Sequence, residues 1–202
     1  MSNTKRIGMG SLVLLLAVAG CSTPPDEEIA AAQSATAAAE SAQASTYASS
    51  EFEAARQAMD QANAEIETQN AKFALFRSYK RAGELVANAE QAAKTAQEAA
   101  VAGKEQARSD AQATIDAATA SVERVTTLLA EIEGCRRKPK GFAADLEVMQ
   151  GSVEGLSSQM AGATSAMSSE DYLGAKSQAE SLQQEADTLS ADIEAAKAKM
   201  GC

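Results

Sequence analysis

The chain has 202 residues and a formal net charge of −10, with 18 basic and 28 acidic side chains, no histidine and no tryptophan. This acidic balance argues against nucleic acid as a partner, because phosphate binding needs clustered lysine and arginine. Because no nucleophile–base pair and no histidine-containing ligand set is visible, we predict no enzymatic activity, no cofactor and no metal site.

Residues 1–20 have the pattern of an export signal. Lys5 and Arg6 precede the short apolar run "LVLLLAVA" at 12–19, and no acidic residue lies before position 21. The run is far shorter than the ~20 apolar residues that a membrane-spanning helix requires. Removal of this segment would leave 16 basic and 28 acidic side chains, a net charge of −12.

The four residues Val18-Ala19-Gly20-Cys21 resemble the lipobox of bacterial lipoproteins, in which an aliphatic and two small residues precede a cysteine. The resemblance implies cleavage after Gly20 and lipidation of Cys21, so that residues 21–25 become an acylated cysteine and a tether to the membrane. Ser22 rather than aspartate follows the cysteine, and by similarity to lipoproteins of Gram-negative bacteria this favours the outer membrane, facing the periplasm. An ordinary signal peptide with an unmodified cysteine is the alternative.

We predict an all-α fold of elongated, antiparallel helical hairpins, and residues 26–133 form the first of them. Their apolar residues are spaced alternately by three and four, which is the pattern of packed helices. The expected helices run from about Asp26 to Leu75 and from about Ser78 to Glu133, the second continuous through Gly103, with a break at that glycine as the alternative. The apolar stripes are Phe52, Ala55, Met59, Ala62 and Ile66; Tyr79, Ala82, Val86, Ala89, Ala93, Ala96 and Ala100; and Ala111, Ile115, Ala118, Val122, Val125, Leu129 and Ile132.

An internal similarity places the turn of this hairpin near residues 75–78. The stripe from Tyr79 to Ala100 aligns with the positions from Tyr172 to Ile193, and the offset is 93 throughout. Because Tyr172 comes directly after a well-marked helix start, Tyr79 is expected to do so as well. The two hairpin helices would then be similar in length, and Glu133 would return to the end of the hairpin that carries Cys21.

Residues 142–202 are predicted to form a second helical hairpin. Ser168 and Asp171 fit a capping box at the start of its second helix. The methionines in the stripes are interpreted as core filler. The two stripes are Phe142, Leu146, Met149, Val153, Leu156, Met160, Ala163 and Met167; and Tyr172, Ala175, Ala179, Leu182, Ala186, Leu189, Ile193, Ala196 and Met200.

Roughly residues 28–100 resemble an alanine-rich helical domain of unknown function found in bacterial envelope lipoproteins. The segment Tyr47-Ala48-Ser49-Ser50-Glu51 matches a Tyr-Ala-Pro-like element of that family, with Ser49 in place of proline, and Tyr79 matches a second tyrosine that opens the next helix. A looser likeness to murein lipoprotein rests on the lipobox and the heptads. That protein ends in a lysine joined to peptidoglycan, whereas this chain has Lys199-Met200-Gly201-Cys202.

Cys135 and Cys202 remain once Cys21 is assigned to lipid. Export would place both in an oxidising compartment, where pairing is the default, so we predict a disulfide between them. Free thiols or an intermolecular bridge are the alternatives.

The connecting loop at 134–141 concentrates four cations in an acidic protein: Arg136, Arg137, Lys138 and Lys140. The simpler interpretation is a solvated turn whose charges complement the carboxyl end of the preceding helix. The more specific interpretation is that these cations contact an anionic membrane surface beside the anchored Cys21.

Two functions are compatible with such a chain. The first is a lipid-anchored periplasmic protein with a structural or scaffolding role in the cell envelope, including a homo-oligomer formed through its alanine stripes. The second is an accessory module that binds an envelope protein or peptidoglycan in a groove or on an exposed helix face.

Overall fold

The structure, a computed structural model, describes residues 23–202, which fold into α-helices with no β-strand among them. The all-α prediction is therefore confirmed. The helices are α1 (Asp26–Ser41), α2 (Ala44–Tyr47), α3 (Ser49–Asn70), α4 (Lys80–Glu133), α5 (Phe142–Ser168) and α6 (Tyr172–Met200), with a 3₁₀ turn at Ala74–Phe76 before α4.

Two compact units divide the chain between Ala100 and Val101, and not at the basic loop 134–141. Helix α4 contributes residues 80–100 to the first unit and residues 101–133 to the second. It is continuous through Gly103, as predicted, because the step from one apolar stripe to the next shifts the buried face without removing a helical hydrogen bond.

The first unit is a three-helix bundle of α1, α3 and the beginning of α4. Its buried residues form successive layers: Ala32 packs with Ala62 and Val86, and further along, Ala35 packs with Ala55 and Ala93. The numbers rise along α1 and α4 and fall along α3, so α3 is antiparallel to the other two helices. Twelve of the fifteen buried hydrophobic residues described in this unit are alanine, so its helices meet through small side chains.

The prediction of one helix from Asp26 to Leu75 is wrong, because the chain reverses between residues 42 and 48. Gln43 adopts a left-handed conformation with φ 62°, and Ala48 has φ −148° and ψ 51°. Ala44 and Ala48 are buried beside Phe52 in one cluster, so packing stabilises the bend without a glycine or proline. The first unit thus contains a hairpin of α1 and α3 before α4 begins.

The second unit is a three-helix bundle of the rest of α4 with α5 and α6. Three α4–α6 pairs share a sequence separation of 66, which means that these helices are parallel: Asp110–Lys176 at 3.3 Å, Ser121–Asp187 at 3.1 Å, and Glu131–Lys197. Helix α5 lies between them in the chain and runs antiparallel to both. The predicted hairpin of α5 and α6 is confirmed at Phe142–Ser168 and Tyr172–Met200.

The apolar stripe of α5 is less buried than that of α6. On α5 only Phe142, Leu156 and Ala163 are buried, while the methionines Met149, Met160 and Met167 are half-buried. On α6 most stripe positions are buried, including Leu182 and Ile193 at 0 % exposure. Helix α5 is therefore the more peripheral helix of this unit.

The turn between α5 and α6 differs from the predicted capping box. Ser168 is the last residue of α5 and donates to the carbonyl of Thr164 at 2.9 Å. Asp171 is itself the N-cap of α6 and accepts a hydrogen bond from the Gly174 amide at 3.0 Å. One carboxylate thus satisfies a free amide of the first turn.

The packing of Phe52 predicts a large loss of stability on truncation. Phe52→Ala removes the largest side chain from a cluster otherwise made of alanines, and we expect a loss of about 3–5 kcal/mol in the free energy of unfolding. Urea unfolding followed by circular dichroism measures it. The control Phe73→Ala changes a phenylalanine that is 71 % exposed and should shift stability by no more than about 0.5 kcal/mol. Equal effects of the two substitutions would contradict this packing.

Candidate functional site

The predicted lipidation site, Cys21, lies outside the described residues, so its lipidation stays a prediction. The described chain begins with Thr23, Pro24 and Pro25, and α1 begins at Asp26. The first turn of α1 carries three acidic side chains, which are favourable at the positive end of a helix dipole. Only the four residues 22–25 separate Cys21 from the first helix.

Cys135 and Cys202 lie at disulfide distance, as the sequence predicts, with 1.97 Å between the Sγ atoms and 5.9 Å between the Cα atoms. Cys135 lies just after α4, and Cys202 lies just after α6. The cysteines are 67 residues apart, close to the separation of 66 that holds along the parallel α4–α6 pair. The disulfide therefore joins the carboxyl ends of α4 and α6 in nearly the same register as the ion pairs between these helices.

The four cations of the basic loop are all exposed in the segment 134–141, which joins α4 to α5 with the predicted bounds. The ammonium of Lys138 lies 5.8 Å from the centre of the Phe142 ring, a cation–π contact. The predicted position of this loop beside Cys21 required one helix over residues 26–75, and that helix does not exist. Contact of Arg136, Arg137, Lys138 and Lys140 with an anionic surface stays a prediction without that support.

A groove of about 650 Å³ lies between α5 and α6. Seven of its ten lining residues have hydroxyl, amide or carboxylate side chains, and Gln159 donates to Glu185 at 2.8 Å across it. Leu156 and Leu189 supply its apolar floor. Such a surface offers hydrogen bonds to a polar ligand, and it contains no paired nucleophile and base among its lining residues.

Three carboxyl groups have pKa values below their ordinary range. A hydrogen bond from Ser50 lowers the pKa of Glu51, hydrogen bonds from Gln106 and Lys176 lower the pKa of Asp110, and Lys104 lowers the pKa of Glu170. Each is therefore ionised at neutral pH and serves as an acceptor or ion-pair partner, whereas a general acid needs a raised pKa.

Within residues 23–202, no three histidine, cysteine, aspartate or glutamate side chains are grouped closely enough to hold a metal ion. In the same part of the chain, no helix has the length and hydropathy needed to span a bilayer.

The structure brings together one group of residues that the sequence patterns did not single out. Phe73, Leu75 and Phe76 lie between α3 and α4 and are 71, 83 and 75 % exposed. They belong to none of the apolar stripes. Large apolar residues outside the periodic pattern were the signal in the sequence that could have identified this group. Exposed groups of large apolar side chains mark contact surfaces.

Comparisons with protein families, with curated proteins and with solved structures gave no match to this chain. The resemblances to bacterial lipoproteins and to an alanine-rich envelope domain therefore stay predictions from the residues that carry them.

The disulfide predicts a redox-dependent stability. Replacing both cysteines, Cys135→Ser with Cys202→Ser, opens a loop closed at a separation of 67 residues. We expect the free energy of unfolding to fall by roughly 4 kcal/mol in the chain-entropy model. Urea unfolding with and without a thiol reductant measures it: the reductant should lower the midpoint of the wild-type chain and leave the double variant unchanged. A wild-type midpoint insensitive to the reductant would contradict the bond.

The Lys104–Glu170 pair predicts part of the pH dependence. Because the folded pKa of Glu170 is lowered, the pair stabilises the fold above the ordinary glutamate range, and this contribution is lost as the pH falls through the folded value. Lys104→Gln should raise the pKa of Glu170 toward its ordinary value, as measured by NMR titration of the side-chain carboxyl. The matched control Lys94→Gln removes an ion pair with Glu90 on another part of α4 and should leave the titration of Glu170 unchanged.

Proposed function

We propose that this chain is a lipid-anchored helical protein of the Gram-negative outer membrane, facing the periplasm, with a structural or scaffolding role in the cell envelope. The observation that carries the proposal is the sequence around Cys21: a basic start, a short apolar run and the lipobox-like Val18-Ala19-Gly20-Cys21. Acylation at Cys21 would anchor an otherwise acidic, polar-surfaced chain to the membrane.

The folded part is consistent with a scaffolding role in three respects. It consists of helical units, its buried residues are engaged in packing within each unit, and the disulfide ties the ends of α4 and α6 together. A disulfide between exported segments suits the oxidising periplasm. A protein that bears load or spaces other components needs such internal cross-linking more than it needs a reactive pocket.

The alanine stripes are not available for the homo-oligomer that the sequence suggested. Ala82, Ala89, Ala93, Ala96 and Ala100 are at most 1 % exposed, and the last three of them pack in clusters with residues of α1 and α3. A homo-oligomer would therefore form through other surfaces, such as the exposed side chains of α5.

The groove between α5 and α6 favours a second candidate function, an accessory module that binds an envelope protein or peptidoglycan. Its hydroxyl, amide and carboxylate groups, including Gln159, Glu185 and Thr188, could hydrogen-bond a polar polymer. Crosslinking in intact cells from a photoreactive residue at Ser181, with Ser157 as the control position outside the groove, would distinguish a defined partner from none.

The lipid anchor is tested on the protein isolated from its own host. We expect mass spectrometry to show a mature chain that begins at an acylated Cys21 and fractionates with the outer membrane. Cys21→Ser should abolish the acyl mass and the processing after Gly20. An unmodified amino terminus on the wild-type chain would contradict the proposal.

The residue after the cysteine tests the membrane assignment separately. By similarity to lipoproteins of Gram-negative bacteria, Ser22→Asp should retain the acylated chain in the inner membrane, whereas Ser22→Ala should leave it in the outer membrane. Density fractionation of the two membranes measures both variants. Equal distribution of the two variants would contradict sorting at this position.

A further inference from the structure

We propose that the loop between α3 and α4, residues 71–79, is a second contact with the membrane, in which Phe73, Leu75 and Phe76 enter the interfacial layer of a phospholipid bilayer. We call these three side chains the apolar tip. The proposal deepens the proposed function, and it rests on that function for the position of the anchored Cys21.

The apolar tip is exposed, whereas the other large apolar side chains described in the first unit are buried or half-buried. Two of the four phenylalanines in the chain, Phe73 and Phe76, are in it, and the remaining two, Phe52 and Phe142, are buried. The two exposed rings lie 6.5 Å apart, and the exposed Leu75 lies between them in the chain. Aromatic and aliphatic side chains grouped in this way partition favourably into the bilayer interface.

The loop is held in this conformation by hydrogen bonds between its polar groups and the carboxyl end of α3. The amide oxygen of Gln69, a buried side chain at 6 % exposure, accepts from the Ser78 amide at 3.1 Å and from Lys72 at 3.0 Å. Arg77 donates to the carbonyls of Asn70 and Lys72 at 3.0 Å each, and so caps the carboxyl end of α3. The hydroxyl of the buried Tyr79 donates to the side chain of Asn70.

Large apolar side chains of a folded unit usually lie in its core, whereas those of the apolar tip are exposed. The hydrogen bonds of Gln69, Arg77 and Tyr79 leave the apolar tip no route into the bundle without breaking them. Contact with an external apolar surface would remove the apolar tip from water without breaking the hydrogen bonds of the loop.

The loop lies at the end of the first unit where the chain leaves the predicted anchor. Residues 23–28 and the beginning of α4 line a common groove of about 560 Å³, with Thr23 and Pro24 facing Tyr79 and Lys80. Thr23 is two residues from Cys21. An acylated Cys21 would therefore hold the bilayer next to this end of the unit, and the apolar tip with it.

The charge around the tip suits a phospholipid surface. Lys72, Arg77, Lys80 and Arg81 flank it, and no acidic residue occurs between Glu67 and Glu84. Arg81 has one acidic neighbour, Glu65, at 3.8 Å, and Asp26, Glu27 and Glu28 line the groove beside Lys80. Lys72 and Arg77 donate hydrogen bonds within the loop, whereas the exposed Lys80 and Arg81 can extend their charge toward lipid headgroups while the apolar tip inserts.

A second copy of the chain is a poorer occupant than a bilayer. In a two-fold dimer, the same patch faces itself, so two apolar tips in contact would bring two sets of these four cations together. The basic loop 134–141 has comparable charge, yet its one aromatic neighbour, Phe142, is buried, so it lacks an apolar group to insert.

The absence of tryptophan provides the experiment. In the full chain with Cys21→Ser, which cannot be acylated, Phe76→Trp places a single tryptophan in the apolar tip. The matched control in the same background is Val148→Trp, at a position on α5 that is 70 % exposed against 75 % for Phe76. Emission is recorded in buffer and with vesicles of phosphatidylethanolamine and phosphatidylglycerol, with and without brominated acyl chains. Because both variants keep residues 1–20, any vesicle binding by that segment is common to both.

We expect the tryptophan at position 76 to emit at shorter wavelength with vesicles and to be quenched by the brominated lipid, while the tryptophan at position 148 does neither. Unchanged emission at position 76, or an equal response at both positions, would overturn the proposal. A short-wavelength emission at position 76 already in buffer would also overturn it: if it depends on protein concentration, a second copy covers the tip, and if it does not, another part of the same chain does. The fluorescence variants cannot be acylated at Cys21. A negative fluorescence result would therefore overturn the membrane contact of the apolar tip without deciding whether Cys21 is acylated, which mass spectrometry tests separately.

Discussion

The close approach of helices through alanine is the constraint on which the first unit depends. A layer such as Ala35, Ala55 and Ala93 buries little apolar area, and with about 25 cal/mol per Å² it contributes correspondingly little to stability. The unit therefore relies on many such layers and on a few larger side chains, of which Phe52, Val86 and Tyr79 are the buried examples.

The second unit is stabilised by larger buried side chains and by a covalent bond. Its buried residues include Leu182, Ile193 and Ile132. The parallel helices α4 and α6 are joined by the Cys135–Cys202 bond and by ion pairs, two of which share a sequence separation of 66. Exposed ion pairs stabilise weakly, so their common separation is better understood as fixing the register than as supplying most of the energy. The disulfide constrains the unfolded chain, and it matters most for a unit whose helix α5 is only partly buried.

The loop 71–79 is the part of the fold that carries the proposed membrane contact. The internal similarity at an offset of 93 correctly places Tyr79 and Tyr172 as buried residues at helix starts. A regular helix begins directly after Tyr79, whereas the loop on its amino-terminal side is shaped by Gln69 and Arg77. The local sequence "KFALFR" is apolar and basic, and the hydrogen bonds of Arg77 and Gln69 hold the loop in which its apolar side chains are exposed.

The pairing of Cys135 with Cys202 was predicted from the cysteine count and an oxidising compartment, whereas periodicity determined the all-α class, the continuity of α4 through Gly103, and the positions of α5 and α6. These are properties of regular spacing, which the sequence shows directly. The reversal at 42–48 was decided by tertiary packing, because Gln43 takes a left-handed conformation without glycine, and a buried cluster around Phe52 stabilises it. The resemblance did contain a signal, since its proline coincides with Ser49, the first residue of α3, where proline is favoured. Contacts between distant segments decide which apolar stripe of a helix packs against which neighbouring helix. They also decide which apolar residues remain exposed, and no local pattern specifies them.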